Sequence, residues 1–204
     1  MFLVAASMIL AAGTGSSAQG IKGREILGLR IGGVLTTGNF KEDFGSGTEL
    51  EIYFIEGLGS WYGISISFSS HNLGESKDRE KNIEFTGLDR KVDLNIYSVT
   101  VAFHALTTVR ERFVPNAEAG IGLYTITASI PAGLFEGHVS DNQPGLYGGA
   151  GILLRLAKGL FLNFSGKYHY VFSGGNDSHT IYFYTGEKRT HIFQISGGIT
   201  LFTG

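Results

Sequence analysis

Residues 145–172 read GLYGGAGILLRLAKGLFLNFSGKYHYVF, two alternating runs joined by Ala157-Lys158-Gly159. In the first run Leu146, Ala150, Ile152 and Leu154 share one face, while Tyr147, Gly149, Gly151 and Arg155 share the other. In the second, Leu160, Leu162, Phe164, Tyr168 and Tyr170 alternate with Asn163, Ser165, Lys167 and His169. Period-two alternation specifies strands, and a three-residue connection pairs them as an antiparallel hairpin. The apolar face is unbroken and ends in tyrosines. The opposite face is small, sparse in charge and hydrogen-bonding, unlike the charge-rich wet face of a soluble sandwich. That is the composition of a narrow barrel interior whose outside meets lipid.

The same alternation recurs along the chain. Strands are expected over residues 24–37, 46–56, 61–70, 94–106, 113–127 and 189–202, which with the hairpin makes eight. Leu27, Leu29 and Ile31 oppose Gly28, Arg30 and Gly32; Leu50, Ile52 and Phe54 oppose Glu49, Glu51 and Tyr53. Ser65, Ser67 and Ser69 line one face of the third run, and Glu118, Gly120, Gly122 and Tyr124 one face of the fifth. Each run is near the roughly 9–11 residues that cross a bilayer at a tilt. Connections at 57–59, 107–112 and 157–159 are short; those at 38–45, 71–93, 128–143 and 173–188 are longer. Short turns on one side and long, mobile external loops on the other are the pattern of outer-membrane barrels. The expected fold is therefore an all-β, eight-stranded antiparallel up-and-down transmembrane β-barrel over residues 24–204. A lipocalin-type soluble barrel would carry its aliphatic face inside, the reverse of these runs.

Composition narrows the function. Gly is frequent at 31 of 204 residues, Pro rare at 3, charged residues are 17%, and the net charge is −2. That is no electrostatic basis for binding nucleic acid. With no Cys there is no disulfide framework, thiolate catalysis or Cys-ligated zinc. No apolar run reaches the roughly 18–20 residues of a membrane-spanning helix. Residues 1–18 read as a secretory signal, with the apolar core FLVAASMILAA and the small residues Ser16-Ser17-Ala18, though no Lys or Arg precedes the core.

On these residues the chain resembles the small eight-stranded outer-membrane β-barrel proteins, the OmpA-barrel/OmpX-like group. The likeness is carried by Gly120-Ile121-Gly122-Leu123-Tyr124, by residues 145–156 with the turn that follows, by Lys167-Tyr168-His169-Tyr170, and by residues 195–202, ISGGITLF. It implies a bacterial outer-membrane location, contact with outer-membrane lipid and lipopolysaccharide, assembly by the barrel-insertion machinery, and a monomer. One departure stands out. Such barrels usually end on an outward aromatic residue, whereas Phe202 has inward parity and is followed by Thr203 and Gly204. Either a bulge in the last strand restores the parity or the insertion signal is imperfect.

The chemistry is sparse. His138-Val139-Ser140-Asp141 resembles the His-x-Ser-Asn signature of lipid A deacylase barrels, which implies His138 as general base and Ser140 as nucleophile. Asp141 stands where that family has Asn, and the next Glu after it, Glu187, is in another loop. His104 and His169 are single inward residues, expected to be hydrogen-bonded rather than metal ligands. Glycine pairs such as Gly149 and Gly151 open no helix, so they form no phosphate loop. The mixed charges of residues 75–90 suit a solvated loop. No cofactor or metal is expected.

The reading favoured is a barrel with a structural or interaction role and a polar, filled lumen. The alternatives are the deacylase-like enzyme and an OmpW-like conduit for small hydrophobic molecules, which needs an apolar lumen. Inward charges balance as Arg30, Arg155 and Lys167 against Glu49, Glu51 and Glu118. A symmetric loop between the fifth and sixth strands sets Glu118 opposite Arg155, Gly122 opposite Gly151 and Tyr124 opposite Gly149.

Overall fold

The computed structural model describes residues 20–37, 41, 44–75, 92–107, 112–129, 138–172 and 189–203, with backbone only at 138, 139 and 189. The expected signal segment and most of the expected external connections lie outside these. Eight strands follow in chain order: β1 (Glu25–Thr37), β2 (Ser46–Gly57), β3 (Tyr62–Glu75), β4 (Asp93–Leu106), β5 (Phe113–Ser129), β6 (His138–Ala157), β7 (Leu160–Phe172) and β8 (Arg189–Thr203). Each pairs antiparallel with its neighbours, and β1 pairs with β8 to close the barrel. Closure leaves no strand edge, so every spanning backbone group can be satisfied within the sheet.

Alternation decides which side chains face out. In β1, Leu27, Leu29 and Ile31 are exposed while Ile26 and Arg30 are buried; in β2, Leu50, Ile52 and Phe54 are exposed against buried Glu49, Glu51 and Tyr53. Exposed large apolar residues occur on all eight strands and so ring the barrel, unlike the singly scattered apolar residues of a soluble surface. Trp61, Tyr62 and Phe103 cluster at the short-turn end, with ring centroids 5.0–6.1 Å apart. Tyr168, Tyr170 and Phe172 stand at the other end of β7. Aromatic girdles at both rims of an apolar belt are what a membrane-spanning barrel presents to its two interfaces.

Two strands run further than the sequence pattern suggests. β3 continues to Glu75 through a register shift between Asn72 and Gly74, where Gly74 takes φ 71°. His71, expected in a loop, is therefore an inward strand residue and fully buried. β6 begins at His138 instead of Gly145 and is laddered to β5 from Ser129↔His138 down to Phe113↔Leu154. Ladder hydrogen bonds join backbone to backbone and need no apolar alternation, so strands persist where the side chains turn polar.

That extension corrects the β5–β6 register. Glu118 lies opposite Gly149, Gly122 opposite Gly145, and Tyr124 opposite Gln143. The faces are unchanged, because the displacement is by an even number of residues. Arg155 moves out of the lumen to the turn end, where it is exposed. There its N–H donates to the Arg112 carbonyl at 2.9 Å, and its guanidinium lies 5.8 Å from the Phe161 ring centroid. The turn after it rests on Gly159, whose φ of 77° is disfavoured for any residue with a Cβ.

The lumen is layered, which corrects the expectation of a mostly polar interior. At the turn end Ile21, Ile26, Ile55, Val114, Leu153, Phe161 and Phe202 make an apolar cluster with the Tyr53 ring. Ile21 is held there by its N–H to the Ser60 carbonyl, 3.1 Å. Phe202 is inward, 4.6 Å from Phe161, and the β8 ladders contain no register shift. No bulge turns it outward. At the loop end Val34, Phe44, Leu73, Leu94, Ile96, Ile126, Val171 and Ile192 make a second apolar cluster. Between the two lies a polar middle.

Candidate functional site

The polar middle is built by inward positions of strands from all around the barrel. Arg30 from β1, Glu51 from β2, Glu118 from β5 and Lys167 from β7 meet there, each no more than 6% exposed. Arg30 Nε lies 2.9 Å from Glu51 Oε2 and its Nη1 3.0 Å from Glu118 Oε1. Lys167 Nζ lies 2.6 Å from Glu51 Oε1 and 3.2 Å from Glu118 Oε1. Two cations and two carboxylates thus alternate in a closed square. Buried charge is tolerated when each ion is paired and further hydrogen-bonded.

Neutral partners complete the square. Arg30 Nη1 donates to Ser165 Oγ at 3.0 Å, and Ser165 and Ser196 hydroxyls are 2.9 Å apart. Tyr147 OH donates to Glu118 Oε2 at 3.3 Å, and its ring centroid is 5.2 Å from Lys167 Nζ. The Arg30 guanidinium sits 4.1 Å from the Tyr53 ring centroid. Asn163 Nδ2 donates to the Tyr53 oxygen at 2.7 Å, and the Tyr53 and Thr200 hydroxyls share a hydrogen bond at 2.6 Å. The Tyr53 ring also needs Gly28 beneath it, since a Cβ there would stand 2.1 Å from Tyr53 Cζ.

A second chain runs above the square. Gln194 offers Oε1 to His169 Nε2 at 2.8 Å, so that nitrogen carries the proton. Nδ1 of the neutral ring then accepts from Tyr124 OH at 2.8 Å. Gln194 Nε2 donates to Glu49 Oε1. All donors point the same way, from Tyr124 through His169 and Gln194 to Glu49.

Five of the six charged residues expected in the lumen, Arg30, Glu49, Glu51, Glu118 and Lys167, are in this middle layer; Arg155 is not. His71 escaped the sequence reading. The continuing alternation Ser65, Ser67, Ser69, His71 was the signal that could have found it. His169 is bonded at both nitrogens, while His104 Nδ1 has no hydrogen-bond partner among the described residues. No group of three or more His, Asp or Glu among the described residues is placed to hold a metal ion.

The positions resembling a deacylase signature lie at the outer end of β6. Residues 138 and 140 have the same parity in the β5–β6 ladder, and Ser140 is exposed. Asp141 has the opposite parity and accepts from Gln143 Nε2 at 2.6 Å. Strand geometry thus sets Ser140 and Asp141 on different faces.

No protein-family model matches the chain, and no curated protein matches it in sequence. Solved structures do match in fold. Neisserial surface protein A superposes with a TM-score of 0.60 at 13% identity, over 88% of this chain and 97% of that one. The outer membrane protein OprG of Pseudomonas aeruginosa gives 0.58 at 14% identity, over 92% and 99%. A major outer membrane protein of Thermus thermophilus gives 0.60 at 12% identity, over 88% and 99%. Closed at eight strands, belted with exposed aliphatic residues and filled inside, the chain has the fold of the small bacterial outer-membrane β-barrels.

Proposed function

We propose that this protein is an integral outer-membrane barrel with a structural or interaction role and a lumen closed to solutes. The observation that carries the reading is the lumen's layering. A neutralised square of Arg30, Glu51, Glu118 and Lys167 is stacked between two packed apolar clusters. Among the described residues the side chains of both clusters are packed at 8% exposure or less, which supports a lumen closed to water and ions. An OmpW-like conduit needs an apolar lumen that opens. The loop-end cluster supplies apolar side chains, but they are packed on one another at 0–2% exposure. A deacylase also needs a carboxylate to orient the base. Asp141 stands where that signature has Asn and bonds Gln143, and the next Glu after it, Glu187, lies outside the described residues. The apolar belt supports contact with outer-membrane lipid. Lipopolysaccharide as a neighbour, the barrel-insertion machinery as a partner and a monomeric state are part of the same proposal, with inward Phe202 as a departure from the usual insertion signal.

Fractionation should place the protein in the outer membrane, with heat-modifiable mobility on gels. In planar bilayers the purified barrel should pass no measurable ionic current, and liposomes containing it should take up small apolar solutes no faster than empty ones. Steady conductance or accelerated uptake would sink the closed-barrel reading.

A further inference from the structure

We propose that Glu49 carries a proton in the folded barrel, so that the sealed middle layer balances two cations against two carboxylates. The buried charged side chains there are Arg30, Lys167, Glu49, Glu51 and Glu118. Among the described residues, all four ion contacts in this layer go to Glu51 and Glu118, and none to Glu49. Glu49 is 2% exposed, and its only hydrogen-bond partner among the described residues is the uncharged amide of Gln194; Oε2 has none. An ionised carboxylate in that position is out of reach of bulk solvent and has no ion-pair partner among the described residues. A group so placed neutralises instead.

Among the described residues the neighbours supply no substitute cation. Among the described residues, the buried titratable or charged groups sharing the lumen with Glu49 are Arg30 on β1, Glu51 and Tyr53 on β2, His71 on β3, His104 on β4, Glu118 and Tyr124 on β5, Tyr147 on β6, and Lys167 and His169 on β7, with the half-buried Asp141 at the inward parity of β6. Both cations are held by the other two carboxylates. His169 spends its two nitrogens on Gln194 and Tyr124, an arrangement complete for the neutral ring. His71 Nε2 meets Ser69 Oγ at 3.0 Å. Arg155, which would have supplied a third inward cation, is exposed at the turn end. With Glu49 as the acid, Oε1 is its carbonyl and accepts from Gln194, and Oε2 holds the proton.

The test compares three isosteric variants, Glu49→Gln, Glu51→Gln and Glu118→Gln, each refolded as the full barrel in detergent micelles at neutral pH. Glu49→Gln mimics the neutral acid, so its urea midpoint should equal or exceed that of the unmodified protein. The other two should lower it by stripping Arg30 and Lys167 of a counter-ion. Infrared spectra of the unmodified barrel should contain the C=O stretch of a protonated carboxyl, lost in Glu49→Gln alone. A Glu49→Gln barrel that fails to fold, or loses as much stability as Glu51→Gln, overturns the proposal. So does the absence of that band from the unmodified protein.

Discussion

Lys167 Nζ lies 2.6 Å from Glu51 Oε1, a contact between β7 and β2 that crosses the lumen instead of following a ladder. Lys167→Met leaves Glu51 and Glu118 to share Arg30 in a site closed to water. Removing one partner of a buried pair typically costs about 3–5 kcal/mol. The loss should appear as a lower urea midpoint in micelles. The double variant Lys167→Met/Glu51→Gln should recover part of it, and a strictly additive double variant would mean the two residues are not coupled.

Gly28 and Gly33 test the two faces of β1. A Cβ at Gly28 meets the Tyr53 ring, whereas at Gly33 the nearest atom is 3.9 Å away. Gly28→Ala should destabilise by about 1–3 kcal/mol through overpacking. Gly33→Ala should be neutral or stabilising by roughly 0.5–1 kcal/mol, because a strand glycine loses more backbone freedom on folding. Unfolding titrations of both variants read the difference directly. Equal effects would mean the parity of β1 is misplaced.

Ile31 is 68% exposed at the centre of the β1 belt, and Leu35 lies nearer the loop end. Arginine at Ile31 should therefore cost about 2–4 kcal/mol in a bilayer, and at Leu35 about 0–1 kcal/mol. Refolding equilibria into lipid vesicles measure both. Equal tolerance would mean that this face is not against lipid.

The β5–β6 register can be read covalently, since the chain contains no native Cys. Ile121 is opposite Leu146. The Ile121→Cys/Leu146→Cys pair should cross-link under mild oxidation in membranes. Ile121→Cys/Ile152→Cys, the pair that would face each other if Glu118 were opposite Arg155, should not.

Where the fold was legible, lipid was the reason. Residues such as Leu27, Ile52, Phe68 and Val101 alternate cleanly because one face meets hydrocarbon and the other a cramped interior. That fixes strand number and parity. Register is different: shifting β6 by an even number of residues keeps every face and changes only the partners. The polar run Ser140–Gln143 carries no apolar rhythm to mark where β6 starts, so Arg155 was placed beside Glu118. The apolar layers were hidden for a related reason. Leu153 and Phe161 occupy inward positions flanked by outward apolar residues, which locally erases alternation. Leu94 and Ile96 alternate with the polar Asp93 and Asn95 and so place apolar side chains on the inward parity. The polar centre stood out because Arg30, Glu49, Glu51 and Lys167 interrupt otherwise apolar runs.

The ionic square also constrains how the chain can fold. Its contacts join Arg30 to Glu118 across 88 residues and Lys167 to Glu51 across 116. Only the Arg30–Glu51 contact lies within one hairpin, β1–β2. An incompletely closed sheet therefore leaves Glu118 and Lys167 short of partners and open to whatever surrounds them. Contacts of such sequence separation form late and make folding slow. The last hairpin and the closing β1–β8 seam thus complete the electrostatics and the cylinder in one event. Partly built barrels gain little from stopping short, and a finished one must break the seam and the square together before it can unfold.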